Sequence, residues 1–167
     1  MNQPNEGFAT VPAEKGHHGT GTIDLLRRAL LALLLFGITG TLAELFLLGH
    51  FEDWQRVPIV LLACGILSIL LSLVRPGFVT LRLLQGLMAL FVAGGMLGMY
   101  FHYTGNVEFE REMYPSLEGF GLVWEAIRGA TPALAPGTMI LLGLLGLAYC
   151  FRHPHLTAGT PNHRHGS

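Results

Sequence analysis

Long runs of apolar residues alternate with short polar connections along the chain. Four runs stand out: Ala29–Gly49, interrupted only by Glu44, then Val57–Val74, Leu83–Phe101 and Gly137–Phe151. A helix needs about 20 apolar residues to cross the hydrocarbon core of a bilayer, and lipid offers no partner to an unpaired backbone group. The pattern therefore predicts an all-α fold, an integral membrane four-helix bundle, with spans at about residues 25–49, 57–74, 82–102 and 134–152.

The polar parts of the chain divide it into three regions. Residues 1–21 and 154–167 are polar and contain several prolines and glycines, which predicts flexible cytoplasmic tails that bury no core. Residues 22–153 form the predicted transmembrane domain. Its longest connection is an outer loop at residues 103–133, and we expect the specialisation outside the membrane to lie there.

The first part of this outer loop is acidic. From Gly105 to Tyr114, apolar residues alternate with Glu108, Glu110 and Glu112. An extended chain would place the three carboxylates on one side, whereas a helix would bring Glu108 beside Arg111 or Glu112. The run could bind a divalent cation through its carboxylate oxygens, but it lacks an EF-hand pattern, so a solvated acidic loop or a docking face for a basic partner is favoured.

A short amphipathic helix is predicted in the second part of the loop. It begins with Ser116 as N-cap and ends near Arg128, before Gly129. Its apolar positions share one face at helical spacing: Leu117, Phe120, Val123, Trp124 and Ile127. Such a helix either lies on the outer bilayer surface or covers the end of the bundle.

Composition and charge agree with a membrane protein. Hydrophobic residues make up 51% of the chain and charged residues 13%, whereas soluble domains carry about 25% charged residues. The net charge of −1 argues against nucleic acid as a partner, because phosphate binding requires a basic excess. Two cysteines are too few for a disulfide-rich scaffold.

The basic residues predict an orientation in the membrane. With both termini in the cytoplasm, seven Lys and Arg residues lie inside and three lie outside, which follows the positive-inside rule. The inner residues are Lys15, Arg27, Arg28, Arg75, Arg82, Arg152 and Arg164, and the outer ones are Arg56, Arg111 and Arg128. We therefore expect a multi-pass protein of a bacterial-type inner (plasma) membrane.

Two groups of residues are candidates for chemistry. Glu44 is an ionisable residue within a span, which is costly and often functional. His50 and His102 each end a span on the outer side, so they could ligate haem, or a divalent metal together with Glu44, Glu52 and Asp53. Both groups also have a structural explanation as polar residues near a helix end, and the leading expectation is that the chain holds no cofactor.

Small residues mark predicted helix contacts. The third apolar run contains Gly94, Gly95 and Gly98, and the fourth contains Gly143 and Gly146. In apolar helices, such spacing allows two backbones to approach closely. These faces could serve the bundle itself or a neighbouring subunit.

Parts of the chain resemble a known group of proteins. The segments Tyr103–Glu110, Trp124–Ala126 and Ala133–Gly137 resemble small four-helix bacterial inner-membrane proteins. The resemblance implies the same fold and carries no activity.

These features favour a non-enzymatic role. The expected function is that of an accessory or structural subunit of a larger membrane complex, with the bilayer and other membrane-protein subunits as partners. It would dock through Glu108, Glu110, Glu112 and Trp124 and through its small-residue helix faces. The alternatives are a haem- or metal-binding redox module using His50 and His102, and an oligomeric transporter with Glu44 as coupling acid.

Overall fold

The computed structural model describes residues 18–129, 131 and 133–157, and in this part of the chain the protein is all α-helical. The helices are α1 (His18–Leu47), α2 (Arg56–Val74), α3 (Phe78–Met113), α4 (Gly119–Arg128), α5 (Gly137–Cys150) and α6 (Pro154–Thr157), with a 3-10 turn at Asp53–Gln55. Three segments are long and apolar enough to cross a membrane, namely Gly21–Leu47, Asp53–Val74 and Phe78–Met113. The fourth apolar helix, α5, is shorter, with 14 residues.

Helix α3 is much longer than its apolar stretch. The expected span ended near residue 102, but the helix continues to Met113 and so includes the acidic run. The extended arrangement considered for this run is therefore wrong. Its Glu, Arg and Met residues are good helix formers, and the first obstacle is Pro115, which disfavours helical geometry at the preceding residue.

Two other boundaries differ from the expected ones. Helix α1 begins at His18, so residues 18–21 belong to it, while the rest of the predicted N-terminal arm and the tail beyond residue 157 lie outside the described residues. Helix propagation costs little once the apolar stretch has formed.

The start of α4 also differs from the expected one, because Ser116 is not its N-cap. A turn closed by Leu117 N–H donating to the Tyr114 carbonyl at 2.9 Å delays that helix, and Glu118 takes the cap position.

The fourth apolar segment is completed by a tight turn. Before α5, the amides of Gly137, Thr138 and Met139 donate to carbonyls three residues earlier, at 2.9–3.1 Å. This geometry extends the nearly helical backbone back to about Ala133, which is buried. The four apolar helices share one hydrophobic core, in which α1 packs against α2 and α5, and α3 packs against the same two helices.

Charge separates the two ends of this helical assembly. The Arg27 guanidinium donates to the Arg152 carbonyl at 3.2 Å, and the Cys150 thiol lies 4.0 Å from the Leu81 carbonyl. These contacts bring together the ends of α1, α3 and α5 that carry Arg27, Arg82 and Arg152, and we call this the basic end. The opposite end, which carries Glu52, Asp53 and the last turns of α3, is the acidic end.

Candidate functional site

The acidic end is built around the buried side chain of Asn106. Its amide nitrogen donates to the Ala126 carbonyl at 2.8 Å and to the Thr131 carbonyl at 2.7 Å. Its amide oxygen accepts hydrogen bonds from the backbone N–H and the hydroxyl of Thr131. A Cβ at Gly129 would lie only 2.7 Å from the Asn106 side chain. The backbone can therefore pass this close to Asn106 because Gly129 has no side chain. One polar side chain therefore holds the end of α4 against α3.

The acidic run lies on two different faces of α3. Glu108 and Glu112 are exposed, whereas Glu110 is only 9% exposed and follows Asn106 by one helical turn. Of the two arrangements considered, the segment adopts the helical one, so the three carboxylates do not share one side. Among the residues that the structure describes, the ion pairs within 4.0 Å are Asp24–Arg27 and Glu125–Arg128, so the expected pairing of Glu108 with Arg111 is not formed.

Helix α4 packs on α3 through a different face from the predicted one. Leu122 and Ala126 are buried, while Phe120 is 81% exposed and Trp124 is 50% exposed. The rings of Phe120 and Trp124 stack with their centroids 6.5 Å apart, and the Arg128 guanidinium lies 5.7 Å from the Trp124 ring centroid. The two aromatic residues of the predicted apolar face therefore point away from the contact with α3.

A shallow groove of about 440 Å³ lies between α3 and α4. Its wall carries one negative and one positive side chain, Glu108 and Arg111, which form no ion pair with each other within the described residues. The other lining residues are Tyr103, Thr104, Val107, Gly119, Leu122 and Val123. Both polar and apolar side chains therefore line the groove.

Glu44 lies on the outward face of α1, three residues before the helix ends. This corresponds to about 4.5 Å of helix, at 1.5 Å per residue. Neither of the two ion pairs in the described part of the chain includes this carboxylate. The neighbouring Gly40 is also open, since a Cβ there would meet no atom within 4 Å. The chain itself therefore leaves this polar position of an apolar helix uncovered.

The histidine pair is not gathered into a metal cluster. Within residues 18–129, 131 and 133–157, no group of three or more His, Cys, Asp or Glu side chains could hold a metal ion. Glu52 and Asp53 are exposed, and His50 and His102 are half-buried. The Nδ1 atoms of both imidazoles are buried and have no hydrogen-bond partner in the described part of the structure.

The predicted packing glycines lie where helices meet inside the chain. A Cβ at Gly95 would lie 2.8 Å from the Pro136 carbonyl oxygen, and one at Gly143 would lie 2.6 Å from the Met88 carbonyl oxygen. Gly94, Gly98 and Gly146 also face neighbouring side chains, Leu61, Pro136 and Met88 respectively. The backbones of α3 and α5 thus approach each other through two reciprocal glycine contacts, and these surfaces are already occupied.

The basic end contains a cluster of aromatic and charged side chains. The His153 ring lies 5.4 Å from Tyr149 and 5.5 Å from His155, measured between ring centroids. Burial lowers the pKa of His153, and the nearby charges of Arg27 and His155 lower it further, while Asp24 opposes them. The folded protein therefore favours the neutral imidazole.

Acidification is expected to destabilise this end of the protein. An imidazole with a lowered pKa binds fewer protons in the folded state than in the unfolded chain. The contribution of His153 to the free energy of unfolding is therefore most favourable above the ordinary pKa of 6.5. It becomes less favourable as the pH falls below that value. We expect the unfolding temperature in detergent to fall between about pH 7 and about pH 5. His153→Gln, which stays neutral, should reduce this fall, and the same pH dependence in both proteins would contradict the assignment to His153.

Asn106 is the functional residue that the sequence patterns did not reveal. The sequence contains only a weak indication of this role. Asn106 lies one helical turn before Glu110, and an Asn at such a position is common in a polar segment. Comparison of the chain with known protein families, characterised proteins and solved structures finds no match. The candidate sites above therefore rest on this chain's own residues.

Proposed function

We propose that the protein is an integral membrane protein in which α1, α2, α3 and α5 form a transmembrane four-helix bundle. Three helices of sufficient length and hydropathy support this proposal, together with the turn that lengthens α5. The outward faces of these helices carry large apolar side chains such as Leu33, Leu67 and Leu141, which are 59%, 67% and 67% exposed. Soluble monomers rarely expose apolar patches of this extent.

The same proposal places both termini in the cytoplasm of a bacterial-type cell. The basic end groups Arg27, Arg82 and Arg152, and the acidic end carries most of the carboxylates. Because cytoplasmic connections carry the excess of Lys and Arg, the basic end is assigned to the inside.

Cysteine labelling in intact cells tests this orientation. We expect Glu112→Cys to react with a membrane-impermeant maleimide from outside, and Arg75→Cys to react only after permeabilisation, since both positions are exposed at opposite ends. The native Cys64 and Cys150 lie in apolar helices, and labelling of the unsubstituted protein measures their contribution as the background. The opposite labelling pattern would reverse the proposed topology.

Within the membrane, the protein is proposed to act as an accessory subunit of a larger complex. The observation that carries this role is Glu44, an exposed carboxyl group near the end of an otherwise apolar helix. A carboxyl group against hydrocarbon costs a few kcal/mol at the bilayer centre and less this close to a helix end, and a hydrogen-bond donor on a partner helix would remove that cost. Because the predicted glycine contacts are used inside the chain, the face around Glu44 and Gly40 and the exposed carboxylates Glu108 and Glu112 are the proposed docking surfaces.

Replacing Glu44 tests the subunit role directly. We expect Glu44→Leu to lower co-purification of the partner from gently solubilised native membranes about tenfold, the effect of losing one charged hydrogen bond. The folding of the isolated chain should be unaffected. Thr39→Val is the matched control, because Thr39 is exposed on another side of α1 and its hydroxyl bonds only to the Leu35 carbonyl at 2.8 Å. Purification as a lone monomer, or equal recovery for the variant, would contradict the role.

Two alternatives remain proposals with their own tests. The buried, unpartnered Nδ1 atoms of His50 and His102 support the redox module, although His153 shares this feature. An absorption spectrum of the purified protein that shows a haem band lost in His50→Ala would support the redox module.

A transporter would need Glu44 at an interface between copies of the chain, since the carboxyl group faces outward. Unchanged transport in Glu44→Gln would exclude Glu44 as the coupling acid.

A further inference from the structure

The apolar surface of α4 is only partly used within the chain. Leu122 and Ala126 pack on α3, while Phe120, Val123, Trp124 and Ile127 remain exposed. A helix that merely covers the end of a helical assembly would direct its larger apolar face inward. The observed rotation leaves the aromatic face for something outside the chain.

Among the described residues, the exposed tryptophan and tyrosine side chains lie at one end of the protein. The chain has two tryptophans, Trp54 and Trp124, and both are at the acidic end with at least half of their surface exposed. Tyr100 in α3 and Tyr114, the residue directly after α3, are also exposed. Trp and Tyr concentrate at the boundary between hydrocarbon and water, where one edge of the ring is apolar and the other is hydrated.

The attachment of α4 sets its distance from the apolar part of α3. Asn106, which binds the end of α4, follows the last residue of the apolar stretch, Phe101, by five positions. Five helical residues rise by about 7.5 Å. The headgroup layer on each side of the hydrocarbon core is about 5–8 Å thick. An untilted α3 therefore places the end of α4 at the level of the headgroups.

We propose that α4 is an interfacial helix whose Phe120, Val123, Trp124 and Ile127 side chains lie against phospholipid in the outer leaflet. The occupant of this face is lipid and not a protein subunit, and the proposal rests on the membrane integration proposed above. Arg128 lies over the Trp124 ring, where the guanidinium can reach a lipid phosphate while the indole faces the acyl chains. The role expected of Trp124 thus changes from protein docking to membrane anchoring.

Fluorescence of a single tryptophan tests the proposal. The full chain carrying Trp54→Phe, so that Trp124 is the only reporter, is reconstituted into phosphatidylcholine vesicles. Matched vesicles contain lipids brominated either near the glycerol or near the chain ends. We expect Trp124 emission to shift to the blue relative to the denatured chain. Shallow bromines should quench it severalfold more strongly than deep ones, and aqueous iodide should quench it weakly.

A variant pair separates lipid contact from general effects of mutation. In the same background, Phe120→Ser should increase iodide quenching of Trp124, because it removes the stacked ring from the apolar face. Glu118→Gln is the matched control, since Glu118 is exposed beside the same helix and its side chain makes no cap hydrogen bond. Retained helix content by circular dichroism shows that both variants fold.

The outcomes distinguish this proposal from membrane integration itself. If the chain floats with vesicles after a carbonate wash but Trp124 is quenched by iodide as fully as in the denatured chain, the interfacial assignment of α4 is overturned and the face is free for a protein. If the chain does not float at all, the proposed membrane bundle fails first. Flotation with strong shallow quenching supports both.

Discussion

Gly95→Ala is expected to destabilise the protein by about 3 kcal/mol, at the upper end of what overpacking usually costs. The new methyl group would lie 2.7 Å from Ile140 Cγ1, 2.8 Å from the Pro136 oxygen and 2.9 Å from the Ile140 nitrogen. Two of these atoms belong to the backbone of the segment that begins α5, so no side-chain rotation can relieve the contact. The helices must separate, and the core between them loses its packing.

The matching glycine on α5 should behave in the same way. A Cβ at Gly143 would lie 2.6 Å from the Met88 oxygen and 2.9 Å from the Val92 nitrogen, both in the backbone of α3. The measurement is the unfolding temperature in detergent. Gly86→Ala is the control on α3, because a Cβ there meets no atom within 4 Å, and alanine is the better helix former. Equal unfolding temperatures for Gly86→Ala and Gly95→Ala would contradict the close approach of α3 and α5.

Hydropathy located the apolar part of each helix well but not the end of α3. The second apolar run, Val57–Val74, differs from α2 by one residue, because Gln55 and Arg56 precede it and Pro76 follows closely. For α3, the apolar run ends at Phe101 while the helix continues for twelve residues. A helix can continue through polar residues once it leaves an apolar environment, so a change in hydropathy marks a change of surroundings and not of backbone geometry. Pro115 was the local signal for the true end.

The candidate sites were less predictable because they depend on contacts between distant segments. The spacing of Gly95 and Gly98 indicates close packing, but only the fold shows that the partner is the segment beginning α5. Likewise, the apolar positions of α4 were correctly seen as helical, yet which face would be buried depended on where α3 ended. Leu122 and Ala126 became the buried face because α3 extends far enough to receive them. Local periodicity cannot supply that information.

Asn106→Ala is expected to release α4 from α3 and to cost about 3 kcal/mol locally. The substitution removes hydrogen bonds to the Ala126 and Thr131 carbonyls and leaves the Thr131 N–H without its acceptor. A buried polar group that loses its partner costs about 1–3 kcal/mol, so the effect exceeds that of one surface hydrogen bond. The bundle core does not include Asn106, and therefore global unfolding should change much less than the order of residues 119–131.

Hydrogen exchange and limited trypsin digestion measure this release. We expect faster amide exchange across α4 in Asn106→Ala, and faster cleavage after Arg128, which is exposed but held one residue from the Asn106 contact with Gly129. Ser68→Ala is the control, because the Ser68 hydroxyl bonds within its own helix α2, to the Gly65 carbonyl at 2.9 Å, and takes no part in the contact between α3 and α4. Unchanged exchange in α4 would show that Leu122 and Ala126 suffice to hold the helix. Asn106 would then be a buried polar group whose hydrogen bonds satisfy its own burial without fixing the position of α4.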